Sequence, residues 1–268
     1  MIARELDFQT VDDLGHAFSN GRIADGEKLE IIVNEIGPWI EYQSMIRSCA
    51  GYEKIADDRI QFSGLTVFRA NLLSNDRYWN CGDTKDIGFI ISNKNGAVDE
   101  SDVYRTSFLL DAEHCAVRAG FSRQTAKELI GAIRELEDNI YAHSGKSASG
   151  LIAYQRIERH FSFVVRDLGI GILASLRTCP VYQDLVDHGE ALRLALETGT
   201  SRYGPETGHG FGFRQLWLGL ANHQGNLRFR TGNYSLQIND AGPSLKSARL
   251  AQKPPISGFL ASIDCSPT

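Results

Sequence analysis

The most regular pattern of apolar and polar residues in the chain lies between Ser122 and His143. Apolar residues recur there at helical spacing, which predicts a helix with one buried face. These residues are Ala126, Leu129, Ile130, Ile133, Leu136 and Ile140. Serine is a common N-cap, and the glycines at 145 and 150 end the pattern. The sequence therefore predicts a long helix that Ser122 caps and that ends near His143.

Strands are expected after this helix, where apolar and polar residues alternate. They are predicted at 150–156, 160–167, 226–230, 234–238 and 259–263. In the second of them, Phe161, Phe163 and Val165 share one face. The connection from 172 to 207 contains a short predicted helix near 190–197 and has the length of a lid or binding loop.

The pattern before residue 95 is weaker and predicts a small α/β unit. Strands are expected at 29–33 and 60–62, and helices at 38–50 and 65–73. A polar, turn-forming cluster around Asn95 is the best candidate for a domain boundary. We therefore predict a small α/β domain of unknown role at 1–95 and a second domain at 96–268, in an α+β fold.

Composition and charge narrow the classes of function. Hydrophobic residues make up 42% and charged residues 23% of the chain, as in soluble globular domains. The net charge of −5 offers no electrostatic basis for binding nucleic acid, and no apolar stretch is long enough to span a membrane. The five cysteines are scattered, which argues against a disulfide framework and a zinc site. We expect a cytoplasmic protein that binds neither nucleic acid nor membranes.

Glu135, Asn139 and His143 are spaced four residues apart and so share one side of the predicted helix, away from its apolar face. An amide oxygen can ligate Mg²⁺, and a carboxylate one turn away can activate a water molecule. The alternative is an ordinary solvated helix face.

A second candidate is the segment Asp167-Leu168-Gly169-Ile170-Gly171-Ile172, which ends the strand at 160–167. Alternation places Asp167 on the core side of that strand, where a carboxylate needs a donor such as the exocyclic amine of adenine. Gly169 and Gly171 let the backbone turn sharply beside a flat base. The alternative is a simple Asp-Gly turn.

A third candidate is Gly208-His209-Gly210-Phe211-Gly212, at the start of a helix predicted from 211 to 223. Glycines there leave backbone amides free to bind phosphate oxygens. A plain turn is the alternative. The surrounding pattern matches neither a Rossmann fingerprint nor a Walker A motif.

In this order and spacing, the three motifs resemble those of the GHKL family of ATPases, which includes stand-alone bacterial ATP-binding proteins. Glu135-x-x-x-Asn139-x-x-x-His143 resembles its N-box, and Asp167-x-Gly169-x-Gly171 resembles its first glycine box. Gly208-x-Gly210-x-Gly212 resembles its second glycine box. The resemblance covers residues 110–265 and implies a Bergerat fold, with helices over a mixed β-sheet and ATP beneath a mobile lid.

The resemblance also implies roles for individual residues. Glu135 would be the water-activating base, Asn139 the Mg²⁺ ligand, Asp167 the adenine anchor, and the second glycine box the phosphate cradle. The remaining residues of the expected ATP site are His143, Ile172, His209 and Phe211. Thr200 and Ser201 lie in the expected lid, as phosphate contacts or as part of a solvated loop.

The function favoured by these features is a slow, Mg²⁺-dependent ATPase that acts as an ATP-driven switch on a protein partner or on a second copy of the chain. One alternative is a protein kinase that resembles anti-sigma Ser/Thr kinases or the catalytic half of a histidine kinase. The other is a module that senses nucleotide without catalysis.

Overall fold

The protein has an α+β fold with two β-sheets. The structure, a computed structural model, describes residues 4–21, 28–74, 76–92, 99, 101–197, 220, 223–241 and 244–268. The predicted boundary at Asn95 and most of the helix predicted at 211–223 lie outside these residues, although Leu220 is helical.

The N-terminal part contains a parallel three-stranded sheet in the order β1-β2-β3. Its strands are β1 (Arg4–Glu5), β2 (Leu29–Ile32) and β3 (Ile60–Ser63). Its helices are α1 (Phe8–Ser19), α2 (Ile36–Ser48), α3 (Tyr52–Arg59) and α4 (Thr66–Leu73). Strands β2 and β3 and helices α2 and α4 were predicted, whereas α1 and α3 were missed. The α1 N-cap is Asp7, whose side chain accepts a hydrogen bond from the Thr10 backbone N at 2.7 Å.

The larger sheet has six strands in the order β4-β5-β6-β7-β9-β8. They are β4 (Tyr78–Asn80), β5 (Ile87–Ile91), β6 (Leu151–Ile157), β7 (His160–Arg166), β8 (Gln224–Ala241) and β9 (Arg249–Ser266). All five pairings are antiparallel, so the expectation of a mixed sheet was wrong for the described residues. The physical reason is connection length, since the turn at Glu158 and Arg159 that joins β6 to β7 is too short for a parallel crossover.

The late strands are longer than predicted. The segments expected at 226–230 and 234–238 form one strand, β8, with irregular pairing between Thr231 and Tyr234. The strand expected at 259–263 is the middle of β9. A polar interruption therefore marks a local irregularity in the hairpin and does not end the strand.

The six-stranded sheet includes strands from both sides of the predicted boundary at residue 95. β4 and β5 precede that point in sequence, and β5 pairs with β6 through residues such as Phe89 and Ala153. Two of the six strands thus come from the segment assigned to the first domain. The division into domains at 1–95 and 96–268 itself stays a prediction.

Four helices lie between residues 101 and 197 of the described chain. They are α5 (Val103–Ala119), α6 (Arg123–His143), α7 (Gly171–Leu176) and α8 (His188–Leu196). Helix α6 matches its prediction, and the Ser122 side chain accepts a hydrogen bond from the Thr125 backbone N at 3.1 Å. Helix α5 was missed because its buried face includes Arg105 and Asp111, which interrupt the apolar pattern.

The six-stranded sheet carries a hydrophobic core on each face. Phe161, Phe163 and Val165 of β7 pack in the core that contains α5 and α6. Val164 of β7 and Leu260 of β9 pack in the core that contains α1 and α2. Alternate residues of one strand therefore serve two helical layers, as the two-residue period of a β-strand requires.

A buried ion network connects α1 and α2 to β8. The Arg228 guanidinium donates to Glu41 Oε2 and to Asp12 Oδ1, each at 2.7 Å. Arg230, which is 1% exposed, also pairs with Glu41. Burial raises the pKa of the Glu41 carboxyl, but Arg230 and Arg228 outweigh burial and lower it. In this network each buried charge between the N-terminal helices and the sheet has an opposite charge beside it.

Among the described residues, no helix combines the length and apolar character that crossing a membrane requires.

Candidate functional site

Helix α6 presents the three predicted polar residues along one partly buried side. Glu135, Asn139 and His143 are each partly exposed, while the apolar residues of the helix are buried on another side. Burial, and secondarily the charge of Asp138, raise the pKa of the Glu135 carboxyl. A raised pKa makes a carboxylate a better proton acceptor when it acts as a general base.

Asp167 follows the last residue of β7 and is 5% exposed. Its Oδ1 accepts a hydrogen bond from the Gly169 backbone N at 2.7 Å, and its own backbone N donates to the Phe259 carbonyl at 2.9 Å. Burial raises its pKa to about 6, although the bonds from Gly169 and the charge of Arg166 oppose that increase. The carboxyl is therefore fixed on the core side of the strand, as the sequence predicted.

Gly169 and Gly171 make the turn after Asp167 tight. A Cβ on Gly169 would lie 2.0 Å from the carbonyl oxygen of Ser144. Gly171 has a φ of +76°, and a Cβ there would lie 2.9 Å from Thr231 Oγ1. Neither position accepts a larger side chain without displacing backbone or a buried hydroxyl. Steric constraint therefore explains why both residues are glycine.

The C-terminal end of α6 contacts this turn directly. The backbone N of Ile170 donates to the Ser144 carbonyl at 2.9 Å, immediately after His143. This bond brings the helix that carries Glu135 and Asn139 against the segment that carries Asp167. Two of the three predicted motifs, about 25 residues apart in sequence, thus meet in the structure.

Two further residues complete the surroundings of Asp167 and were missed from the sequence. Thr231 is fully buried; its Oγ1 donates to the Gly258 carbonyl at 2.9 Å and accepts from the Ile172 backbone N at 3.2 Å. Gly258 has a φ of +71°, and a Cβ there would lie 2.5 Å from Asp167 Oδ1. Both come from the β8-β9 hairpin, and only the sheet pairing brings them to the turn.

Several predicted residues lie outside the described part of the chain. They are Thr200 and Ser201 of the expected lid and Gly208, His209, Gly210, Phe211 and Gly212 of the second glycine box. The described part of the site is therefore the end expected to hold the adenine ring, together with the side of α6 that carries Glu135 and Asn139.

The described residues suit the adenine end of a nucleotide. Asp167 offers a buried acceptor to an exocyclic amine, which carries no charge of its own and so adds no unpaired charge to the core. Gly169 and Gly258 let the backbone pack directly against the carboxyl, since a Cβ on either would lie within 2.8 Å of Asp167 Oδ1. For Mg²⁺, Asn139 offers an amide oxygen on the same helix as Glu135.

Comparison with protein-family models, curated proteins and solved structures finds no match to this chain. The resemblance to the GHKL family therefore depends on the residues of the three motifs. Two of these motifs are described, and Ser144 and Ile170 join them.

Proposed function

We propose that the chain binds ATP beside Asp167 and hydrolyses it slowly, as an ATP-driven switch of the GHKL type with a Bergerat fold. The observation that carries this proposal is the buried carboxyl of Asp167, held by Gly169 at a turn that contacts the end of α6. A carboxylate in the core is unfavourable without a donor, and the adenine amine is a donor of suitable charge and shape.

The residues divide the work between binding and hydrolysis. In this proposal Asp167 accepts a hydrogen bond from the adenine amine, while the turn glycines hold the carboxyl in place by letting the backbone pack closely around it. Mg²⁺, held by Asn139 and the phosphates, would neutralise charge that develops during phosphoryl transfer. Glu135 accepts a proton from the attacking water, a role that its raised pKa favours.

Binding is tested by titrating the purified chain with ATP and Mg²⁺ in a calorimeter. In Asp167→Asn, the side-chain oxygen can still accept from Gly169, but the amide NH₂ then faces the donor amine of adenine. We expect ATP affinity to fall at least about tenfold, because an acceptor has been replaced by a donor. Asp184→Asn, at an exposed position, is the matched control. Equal affinities for wild type and Asp167→Asn would refute the adenine site.

Hydrolysis is tested with ATP labelled in the γ-phosphate. We expect Glu135→Gln to bind ATP normally and to lose turnover, by about 10²–10⁴-fold for loss of a general base. Glu128→Gln, two turns earlier on α6, is the control and should keep both properties. Label released as phosphate supports the ATPase. Label on a protein of the cell extract identifies the kinase instead, and intact ATP after hours identifies a sensing module.

A further inference from the structure

A cavity lies on the opposite face of the sheet from Asp167. It encloses about 130 Å³ between α2, α4 and the ends of β6 and β7. Its polar lining includes Trp39, Gln43, Arg47, Arg69, Ser149 and Arg166. A cavity of this size exceeds the roughly 10–15 Å³ that one water molecule needs, so it has room for a small molecule.

Three arginines converge on this cavity without an acidic residue. Arg47, Arg69 and Arg166 line it, and none of the described lining residues is Asp or Glu. Burial, followed by the nearby charge of Arg47, lowers the pKa of Arg166 to about 10, while Asp167 has the opposite effect. Like charges brought together in this way are costly unless an anion neutralises them.

Part of the hydrogen-bonding capacity of these side chains is also unused. Arg166 is 7% exposed, and its Nε and Nη1 have no hydrogen-bond partner among the described residues. The same holds for Arg69 Nε and for Trp39 Nε1. Arg69 itself is held in place, because its Nη1 donates to the Gly64 carbonyl at 3.0 Å and its guanidinium lies 4.8 Å from the centroid of the Trp39 ring. Arg69 is therefore fixed at the cavity wall.

Unlike Arg166, two other buried arginines of the same region have a carboxylate partner. Arg228 and Arg230 pair with Glu41 of α2. The cavity is lined by other residues of the same helix, namely Trp39, Gln43 and Arg47. Helix α2 thus neutralises one pair of arginines with a carboxylate and adds a cation to the second group. Among the described residues, the buried arginines Arg105, Arg228 and Arg230 each pair with a carboxylate, whereas Arg166 in the cavity forms no salt bridge.

We propose that this cavity is a binding site for a small molecule that carries a phosphate group. A phosphate monoester brings close to two negative charges and several acceptor oxygens, which suit three guanidinium groups better than a single carboxylate does. Arginine binds phosphate through two parallel N–H groups, a geometry that Lys cannot reproduce. Leu72, Leu73 and Ile91 on the cavity wall leave an apolar surface for the rest of the ligand.

The site is tested on the full chain by calorimetry with inorganic phosphate, and with acetate at the same ionic strength. We expect phosphate to bind and acetate to bind more weakly. Arg47→Gln, at an exposed position, should fold normally and weaken phosphate binding at least about tenfold. Arg123→Gln, an exposed arginine at the start of α6, is the matched control and should bind phosphate as wild type does.

Thermal unfolding of Arg166→Met gives a second readout. Without phosphate, the variant should melt about 2–4 °C or more above wild type, because an unpaired buried charge is gone. Phosphate should raise the Tm of wild type but not of this variant. The proposal would be overturned if wild type did not bind phosphate or bound acetate equally well. It would also be overturned if Arg47→Gln and Arg166→Met still bound phosphate. ATP affinity, measured in Arg47→Gln, should match that of wild type, so failure here is distinct from failure of the ATP site.

Discussion

The carboxyl of Asp167 is the residue on which the proposed nucleotide site depends most. It is buried at the end of β7, and because burial raises its pKa to about 6, it becomes protonated at mildly acidic pH. Neutral and ionised forms differ in what they can bind, since only the ionised form offers two acceptor oxygens to a donor amine. The site is therefore sensitive to mildly acidic pH.

We predict that the stability contributed by Asp167 falls as pH rises. Its pKa increases from 3.8 in the unfolded chain to about 6 in the folded chain, so the contribution is complete below pH 3.8 and is lost as pH rises through 6. Asp167→Asn does not titrate. The free energy of unfolding of wild type relative to this variant should fall by about 2 kcal/mol between pH 4 and 7. Urea titrations across that range measure it, and a constant difference would contradict the prediction.

The turn glycine Gly169 has a steric role that can be measured. A Cβ there would lie 2.0 Å from the Ser144 carbonyl oxygen, and neither backbone segment can move freely. Gly169→Ala should therefore cost about 1–3 kcal/mol and reduce ATP binding. In the control Gly225→Ala, the nearest atom lies at an ordinary 3.5 Å. Equal Tm values for the two variants would show that the turn adapts.

The sequence predicts the residues of local motifs well and those of distant contacts poorly. Asp167 is correctly placed because alternation along a single strand is enough to orient it. Thr231 and Gly258 give no such signal, because their roles depend on the pairing of β8 with β9 and on contact with a turn 59 or more residues earlier. The sequence marks Arg166 only as a polar residue of a strand, because the cavity that it lines is formed by packing against α2 and α4.

At the scale of elements, the contact between α2 and β8 depends on Glu41. This carboxylate is fully buried and pairs with both Arg228 and Arg230. Removing one member of a buried ion network leaves its partners charged and unpaired.

We predict that Glu41→Gln lowers the free energy of unfolding by about 3–5 kcal/mol. Glu30→Gln, at an exposed position on β2, should change it by no more than about 0.5 kcal/mol. Because Glu41 has a lowered pKa, its stabilising contribution is present at neutral pH and is lost as pH falls below the ordinary value of 4.5. Chemical denaturation at pH 7 and at pH 4 tests both statements, and equal losses in the two variants would contradict them.

Element prediction succeeded where one physical signal dominates. Helix α6 has a continuous apolar stripe and a serine cap, and its observed bounds follow the pattern. Helix α5 has neither a continuous stripe nor a neutral buried face, because Asp111 accepts hydrogen bonds from Tyr78 and Asn80 inside the fold. Its polar residues are explained by tertiary partners that a sequence alone does not reveal.

At the scale of the whole molecule, the core beneath α2 joins residues from both sides of residue 95. Phe89 of β5 packs there with Leu151 of β6 and Leu260 of β9. A core shared in this way makes the two parts depend on each other for stability.

We therefore predict a single cooperative unfolding transition for the full chain. Tryptophan fluorescence, with Trp39 in α2 and Trp79 in β4, should change at the same denaturant concentration as far-UV circular dichroism. A fragment of residues 96–268 should bind a hydrophobic dye, because the side of the sheet that α2 covers would be exposed. Two separate transitions, or a well-folded fragment, would show that the parts are independent domains.

Strand β7 places Arg166 and Asp167 one peptide bond apart and on opposite faces of the sheet. Each belongs to a different proposed site, so a phosphate ligand on one face and a nucleotide on the other would restrain the same strand end. Any factor by which one ligand changes the affinity of the other must then act equally in reverse, because the two binding equilibria share one thermodynamic cycle. The alternation of a single β-strand would in this way connect a metabolite signal to the nucleotide state of the protein.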